Sequence, residues 1–327
     1  MKFITCILTL FVGIATISCN SAKKPKSQKR IFYVNSYHAG YGSSDDVMKG
    51  ITETLANKNV ELKTFFLDAK RKTSAYETSE SVKKVLLEIE NFQPNVLIVS
   101  DDNAVKDLLV PHFNNTKLPV VFCGVNWSAN QYNLGNNVTG MLEVLPLREL
   151  LSEVISNYPE TKKMVVLSEN SLSEQNNKTL LDTLYRNLGL EPEYLLADNF
   201  EMWKQYFLDA NKASNLIYLP TNGAIKNWDE EEAKKLVEEN LEIPSVTCDD
   251  FMMPYVVFGL TKVAIEQGEW AARTALEILN GMKPSEIPYT RNNQTKAYIN
   301  TKLAEKIDFR LSDKLKKEVQ NYKNITQ

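Results

Sequence analysis

Ile31-Phe32-Tyr33-Val34-Asn35-Ser36-Tyr37-His38-Ala39-Gly40-Tyr41 decides how this chain is read. A short apolar, β-prone run ends in a small, polar, glycine-containing turn. Asp45 or Asp46 is then placed to cap a helix running to about Asn57. A strand, a polar loop and a helix, in that order, form the ligand-bearing unit of α/β proteins, whose ligands gather at the carboxyl ends of parallel strands. Here that position offers Ser36, Tyr37, His38 and Tyr41.

The same pattern repeats along the chain. Val60–Leu67 reads as a second strand and Glu77–Phe92 as a helix, with Val82, Val85, Leu86 and Ile89 on one face. Val96–Val99 is a continuous apolar run, as in a strand covered on both faces. Asp101-Asp102-Asn103 then opens a helix to about Phe113, and Pro119–Cys123 is the next strand. A second series begins near Val138: helix 148–157, strand 164–167, helix 173–188, strand 194–196, helix 200–210, strand 216–219, helix 229–240 and strand 244–247. A strand over Tyr255–Phe258, a long helix over Lys262–Leu279 stopped by Asn280-Gly281, and a strand over Lys296–Ile299 complete the tail. The fold class expected is α/β, with two Rossmann-like lobes joined by a hinge of crossover segments.

Before the first strand, Lys2 and the apolar stretch Phe3–Ile17 have the form of a signal peptide. Thr16-Ile17-Ser18-Cys19 resembles a bacterial lipobox, in which the cysteine becomes the lipidated first residue; Thr16 departs from the usual aliphatic. The plain alternative is an ordinary signal peptide with an incidental cysteine. Residues 20–29, with Lys23, Lys24, Lys26 and Lys29, read as a flexible tether. The division expected is a signal peptide over 1–18, a lipidated tether over 19–29, an N-terminal lobe over 30–139 and a C-terminal lobe over 140–256. About 257–288 is expected to return to the first lobe and about 289–327 to the second. Cys123 and Cys248 remain in the folded part; both read as buried thiols, with a disulfide between them left open.

The net charge of −3, with both signs interspersed, argues against a nucleic-acid partner. Enzymatic motifs are missing: no phosphate-binding P-loop, no G-x-G-x-x-G loop and no G-x-S-x-G elbow. The two histidines, His38 and His112, are too far apart in sequence to suggest a histidine-rich metal centre. No catalytic residue, cofactor or metal is expected.

Three stretches carry a family resemblance. One is Asn35 to Tyr41 with Asp45-Asp46 and Gly50-Ile51. The second is Val120-Val121-Phe122-Cys123-Gly124-Val125-Asn126. The third comprises Gly259, Glu266-Gln267-Gly268, Ala271-Ala272 and Ala275 to Gly281, followed by Ile287-Pro288. In order and spacing, from Lys29 to about Leu311, the chain resembles the substrate-binding proteins of bacterial ABC transporters (ABC_sub_bind), which have the type I periplasmic-binding-protein fold. The resemblance implies a clamp that closes two lobes on a small solute and delivers it to an ABC permease powered by a separate ATPase. With the lipobox-like stretch ending at Cys19, the expectation is a monomer outside the cytoplasm, held to a membrane by a lipid on that cysteine. The same domain resembles sensor modules, so a ligand-sensing protein that signals to a membrane receptor kinase is the alternative.

Strand ends supply the candidate ligand-binding residues. In the first half these are Ser36, Tyr37, His38, Tyr41, Asp101, Asp102, Asn103, Asn126 and Trp127, with Glu143 at the first crossover. The second half offers Asn170, Asn222 and Asp249, beside Ser168, Thr221 and Asp250. Aromatic faces suit stacking, and carboxylates suit an ammonium, so an amino acid or other nitrogenous solute is slightly favoured over an anion; a sugar, with Trp and Tyr faces and Asp and Asn edges, is the other solute these residues suit.

Overall fold

The computed structural model describes residues 28–324. The expected signal segment, Cys19 and most of the tether lie outside the described residues. Among those described, no helix is long and apolar enough to cross a membrane.

Two mostly parallel sheets are each built by alternating strands and helices. The first uses β1 (Lys29–Asn35), β2 (Val60–Phe66), β3 (Val96–Ser100), β4 (Val120–Asn126) and β5 (Val138–Glu143), and helices α1 (Gly42–Leu55), α2 (Ala75–Phe92) and α3 (Asp101–Ala104). The last continues as a π-helix over Val105–Phe113. The second sheet uses β6 (Lys163–Glu169), β7 (Glu191–Ala197), β8 (Leu216–Tyr218), β9 (Ser245–Thr247) and β10 (Phe258–Lys262). Its helices are α4 (Leu147–Asn157), α5 (Leu172–Asn187), α6 (Phe200–Ala213) and α7 (Glu230–Asn240).

The first sheet runs β2-β1-β3-β4-β5 and the second runs β7-β6-β8-β9-β10, the same order twice. That order reverses direction between β1 and β3, and again between β6 and β8. Chain emerging there on opposite faces leaves a crevice at the carboxyl ends. Both faces of each sheet are covered. Phe32 and Val34 pack under α2 in one cluster, while Ile31 and Tyr33 pack against α1 on the other. The second sheet repeats the arrangement, one face holding Trp203 and Phe207, the other Leu150, Leu181 and Tyr185.

The tail crosses between the sheets twice more. Helix α8 (Ile265–Leu279) packs on α1 and the first sheet, and the short β11 (Thr290–Arg291) pairs with β5. Strand β12 (Thr295–Ile299) then joins β10 antiparallel in the second sheet, followed by α9 (Thr301–Lys306), α10 (Leu315–Glu318) and β13 (Gln320–Asn321). The stretch expected to return whole to the first lobe therefore divides: β10 pairs within the second sheet and α8 packs on the first. The strand expected over Tyr255–Phe258 starts only at Phe258, because Asp250–Tyr255 coils as a 3-10 helix with Pro254 inside it. The helix expected from Lys262 starts at Ile265.

Glycine sets the fit of α8 on α1. A Cβ at Gly268 would lie 2.0 Å from the Val47 carbonyl oxygen, and one at Gly50 would lie 2.4 Å from that of Ile265. Cys123 and Cys248 are both free and buried, in clusters on different sheets.

Candidate functional site

Three connections, after β5, β10 and β11, join the two lobes, and polar side chains lock them together. Glu143 at the end of β5 accepts from Lys262 Nζ (2.6 Å) at the end of β10 and from Gln267 Nε2 (2.7 Å) on α8. Lys262 also pairs with Asp249 at 3.0 Å. Asn292 after β11 donates to the Val144 carbonyl and accepts from the Val144 amide. Glu266 accepts from the amides of Asn293 and Gln294.

Above this hinge the carboxyl ends of both sheets face one another in direct contact. Tyr37 OH and Ser173 Oγ are 3.1 Å apart, and Tyr41 OH and Thr221 Oγ1 are 2.8 Å apart. The Tyr41 ring packs 5.4 Å from Phe251 and lies on Gly223, where a Cβ would come within 2.4 Å of Tyr41 Cε2. Lys70, in the loop after β2, pairs with Glu169 at the end of β6; the two side chains are 3% and 0% exposed. The Ala224 amide donates to the other Glu169 oxygen at 2.7 Å and so orients the carboxylate. The lobes are closed on each other.

Two spaces between them are lined by described residues. An inner chamber of about 40 Å³ is lined by Tyr37, Tyr41, Lys70, Asp101, Asn126, Glu143, Ser173, Glu174, Asn177, Thr221, Asp249 and Lys262, among others. An outer cavity of about 710 Å³ lies between the start of α2, the helix after β3 and the start of α5. Lys70, Tyr37 and Ser173 border both.

The inner chamber is short of positive charge. Lys70 and Lys262 are its two cations, against Asp101, Glu143, Glu174 and Asp249 on its wall and Glu169 behind Lys70. Among the described residues, Asp101 and Glu174 have no cationic partner within ion-pair distance. Burial, reinforced by Glu143, pushes the Asp101 carboxyl up to about 8. Burial, reinforced by Glu169, pushes Glu174 up to about 7. Asp249 is raised by burial even with Lys262 beside it. Burial lowers the Lys262 ammonium, but Asp249 and Glu143 outweigh that and hold it well above its ordinary value. Asp101 adopts a left-handed backbone (φ 66°), unusual for a non-glycine residue, at the turn from β3 into α3. Beside it, Gly124 (φ 75°) would place a Cβ 2.8 Å from Asp101 Oδ1.

The expected residues separate into three groups. Tyr37, Tyr41, Asp101, Asn126, Glu143 and Asp249 come together on the inner chamber, and Asn103 and Asn170 on the outer cavity. Two others are braces inside the first lobe. Ser36 donates to the Ser100 carbonyl and accepts from the Ala104 amide (2.8 Å), tying β1 to α3. Asp102 accepts from Asn126 Nδ2 (2.7 Å) and Tyr132 OH (2.6 Å). The remaining three line neither space. Trp127 packs against the hydrophobic cluster of the second sheet, His38 stands 3.6 Å from Asp68, and Asn222 lies in the turn after β8.

Lys70, Lys262, Glu174, Asn177 and Ser173 were not in the expected set. Lys70 follows β2 within Asp68-Ala69-Lys70-Arg71-Lys72, a run whose charge suggests a solvated loop. Lys262 sits at a strand end only because β10 ends four residues later than its pattern suggests.

A clamp with three crossovers, twin sheets and a polar cleft defines the class of two-lobed binding proteins. The chain is similar to several of known structure. A conserved domain protein from Vibrio cholerae O1 biovar El Tor has a TM-score of 0.71 at 14% identity, covering 90% of this chain and 99% of that one. A domain from Streptococcus pneumoniae in complex with L-Trp has a TM-score of 0.69 at 18% identity, covering 90% and 100%. A solute-binding protein from Thermotoga lettingae in complex with 5-methylthioribose has a TM-score of 0.57 at 14% identity, covering 90% and 93%. A comparison with curated protein sequences found no match. Residues 41–323 match the family model described as ABC transporter substrate binding protein, and the chain belongs to that family.

Proposed function

We propose that this chain is the lipid-anchored, extracytoplasmic binding protein of an ABC importer, closing on a small solute that carries an ammonium group. The observation that carries the solute class is the excess of carboxylate in the inner chamber, above all Asp101 and Glu174, which lack a cationic partner among the described residues. Burial keeps Asp101, pushed up to about 8, largely protonated at neutral pH, and Glu174, pushed up to about 7, about half protonated. A bound ammonium would supply the missing charge and let them ionise. Asn177 adds a buried Oδ1 without a partner, a further acceptor that needs a donor. Tyr37 and Tyr41 offer aromatic faces beside these acceptors. The family supports delivery to a permease. Cys19 would hold the protein to the membrane, with residues 20–29 as the tether. No step of this function breaks a covalent bond.

Native mass spectrometry of the chain from Lys29 onward, before and after denaturation and refolding, tests the reading. The expected result is a small mass lost on refolding that identifies as an amine or amino acid. A captured solute without ionisable nitrogen would overturn the solute class. Chemical conversion of that solute by the refolded protein would overturn the binding role.

A further inference from the structure

Lys70 stands where a cationic solute would be expected. Its Nζ lies 4.7 Å from the centre of the Tyr37 ring and 4.8 Å from that of Tyr41. The two rings meet edge to face at 5.2 Å and form two walls of a box. Glu169 forms the third, from the opposite lobe. The hydroxyl contacts of Tyr37 with Ser173 and of Tyr41 with Thr221 fix both rings against that lobe. Two aromatic faces and a desolvated carboxylate make a seat selective for an ammonium. It is complete only when the lobes are closed, because the tyrosines and Glu169 come from different sheets.

Two further features bear on what this lysine does. Lys70 is tethered to a loop and borders both spaces, so its side chain is part of the partition between the outer cavity and the inner chamber. The outer cavity also has room for a displaced lysine; Asp107 lines it together with Lys72 and Lys106.

The geometry points to Lys70 as a tethered surrogate cation: it fills the seat of Tyr37, Tyr41 and Glu169 in the closed cleft, and an ammonium-bearing solute enters by displacing it. The inference rests on the amine reading of the cleft and adds a specificity rule. A solute must bring a compact ammonium to replace the one it expels, and because that exchange adds no net charge, the charge missing at Asp101 and Glu174 comes from a second cationic group on the same solute. A neutral sugar would leave Glu169 buried and unpaired, and is rejected.

The test uses n-propylammonium, the fragment that Lys70→Ala removes. Lys70→Ala is expected to lower the melting temperature. About 50 mM propylammonium chloride should then raise it by several degrees, through binding to the folded state alone. Equal concentrations of n-propanol or sodium chloride should not. Wild type, whose seat is already filled, should bind propylammonium at least about tenfold more weakly by calorimetry. Lys70→Met, which keeps the bulk without the charge, should fold and not respond. Equal responses of wild type and Lys70→Ala, or equal rescue by propanol, would overturn the inference. Should Lys70→Ala not fold, Glu169→Gln keeps the lysine and is expected to enlarge the radius of gyration by solution scattering; an unchanged radius would overturn it. An amine captured in mass spectrometry without propylammonium rescue would sink this inference and leave the amine reading standing.

Discussion

Lys262→Met tests the electrostatics of the hinge. Lys262 joins the end of β10 to the end of β5 through Glu143, and reaches Asp249 as well. All three side chains are about nine-tenths buried, with exposures of 9% for Lys262 and Glu143 and 10% for Asp249. Methionine fills similar volume but leaves the carboxylates without their counter-ion. Removing one partner of a buried pair costs about 3–5 kcal/mol, because the remaining charge is stranded away from water. For a chain larger than about 250 residues each kcal/mol moves the melting temperature by a little under about 2 °C, so the loss should be roughly 5–8 °C at pH 8. The sign of the pH effect follows from Asp249, which burial raises even in the wild type. Without Lys262 it rises further. A carboxyl held above its unfolded value stabilises the fold below about pH 4, and that contribution disappears as pH rises through the folded value. The deficit of the variant should therefore shrink toward about pH 5 and be full at about pH 8. Thermal unfolding followed by circular dichroism at both pH values measures this. A deficit under about 1 kcal/mol, or one equal at both pH values, would refute the argument.

Asp101→Asn should flatten the stability profile. With the folded carboxyl pushed up to about 8, wild type loses stability as pH rises from about 4 to 8; the variant should lose less, as read from melting temperatures across that range. Capture of an ammonium solute should for the same reason strengthen with rising pH in wild type and lose part of that dependence in the variant, by calorimetry at two pH values. Gly268→Ala forces a methyl to within 2.0 Å of the Val47 carbonyl, so α8 must move off α1; a loss of about 1–3 kcal/mol or more is expected from the urea midpoint. An unchanged midpoint would mean that the helices separate freely.

Much of the cleft is legible because strand ends are legible. Tyr37, Tyr41, Asp101, Asn126 and Asp249 follow apolar runs, and repetition of one strand order in both sheets turns those runs into a shared crevice. Ser36 and Asp102 satisfy the same positional rule yet face inward, because each is taken up by a neighbouring element: Ser36 accepts from the Ala104 amide of α3, and Asp102 from the Asn126 amide at the end of β4. Position along the chain says which residues reach the strand end. The direction of each side chain is decided by what packs around it.

The sequence by itself determined the α/β alternation, the two-lobed class and the family, because apolar periodicity, turn residues and motif spacing are local properties of the chain. The tertiary structure alone decided which charges are buried. Lys70 and Glu169 are 99 residues apart, and Glu143 and Lys262 are 119 apart. A lysine in a charged loop has the sequence signature of a solvated one. Only closure of the two sheets removes water from Lys70 and gives it Glu169 and two tyrosine faces, and that pairing is a property of the closed cleft.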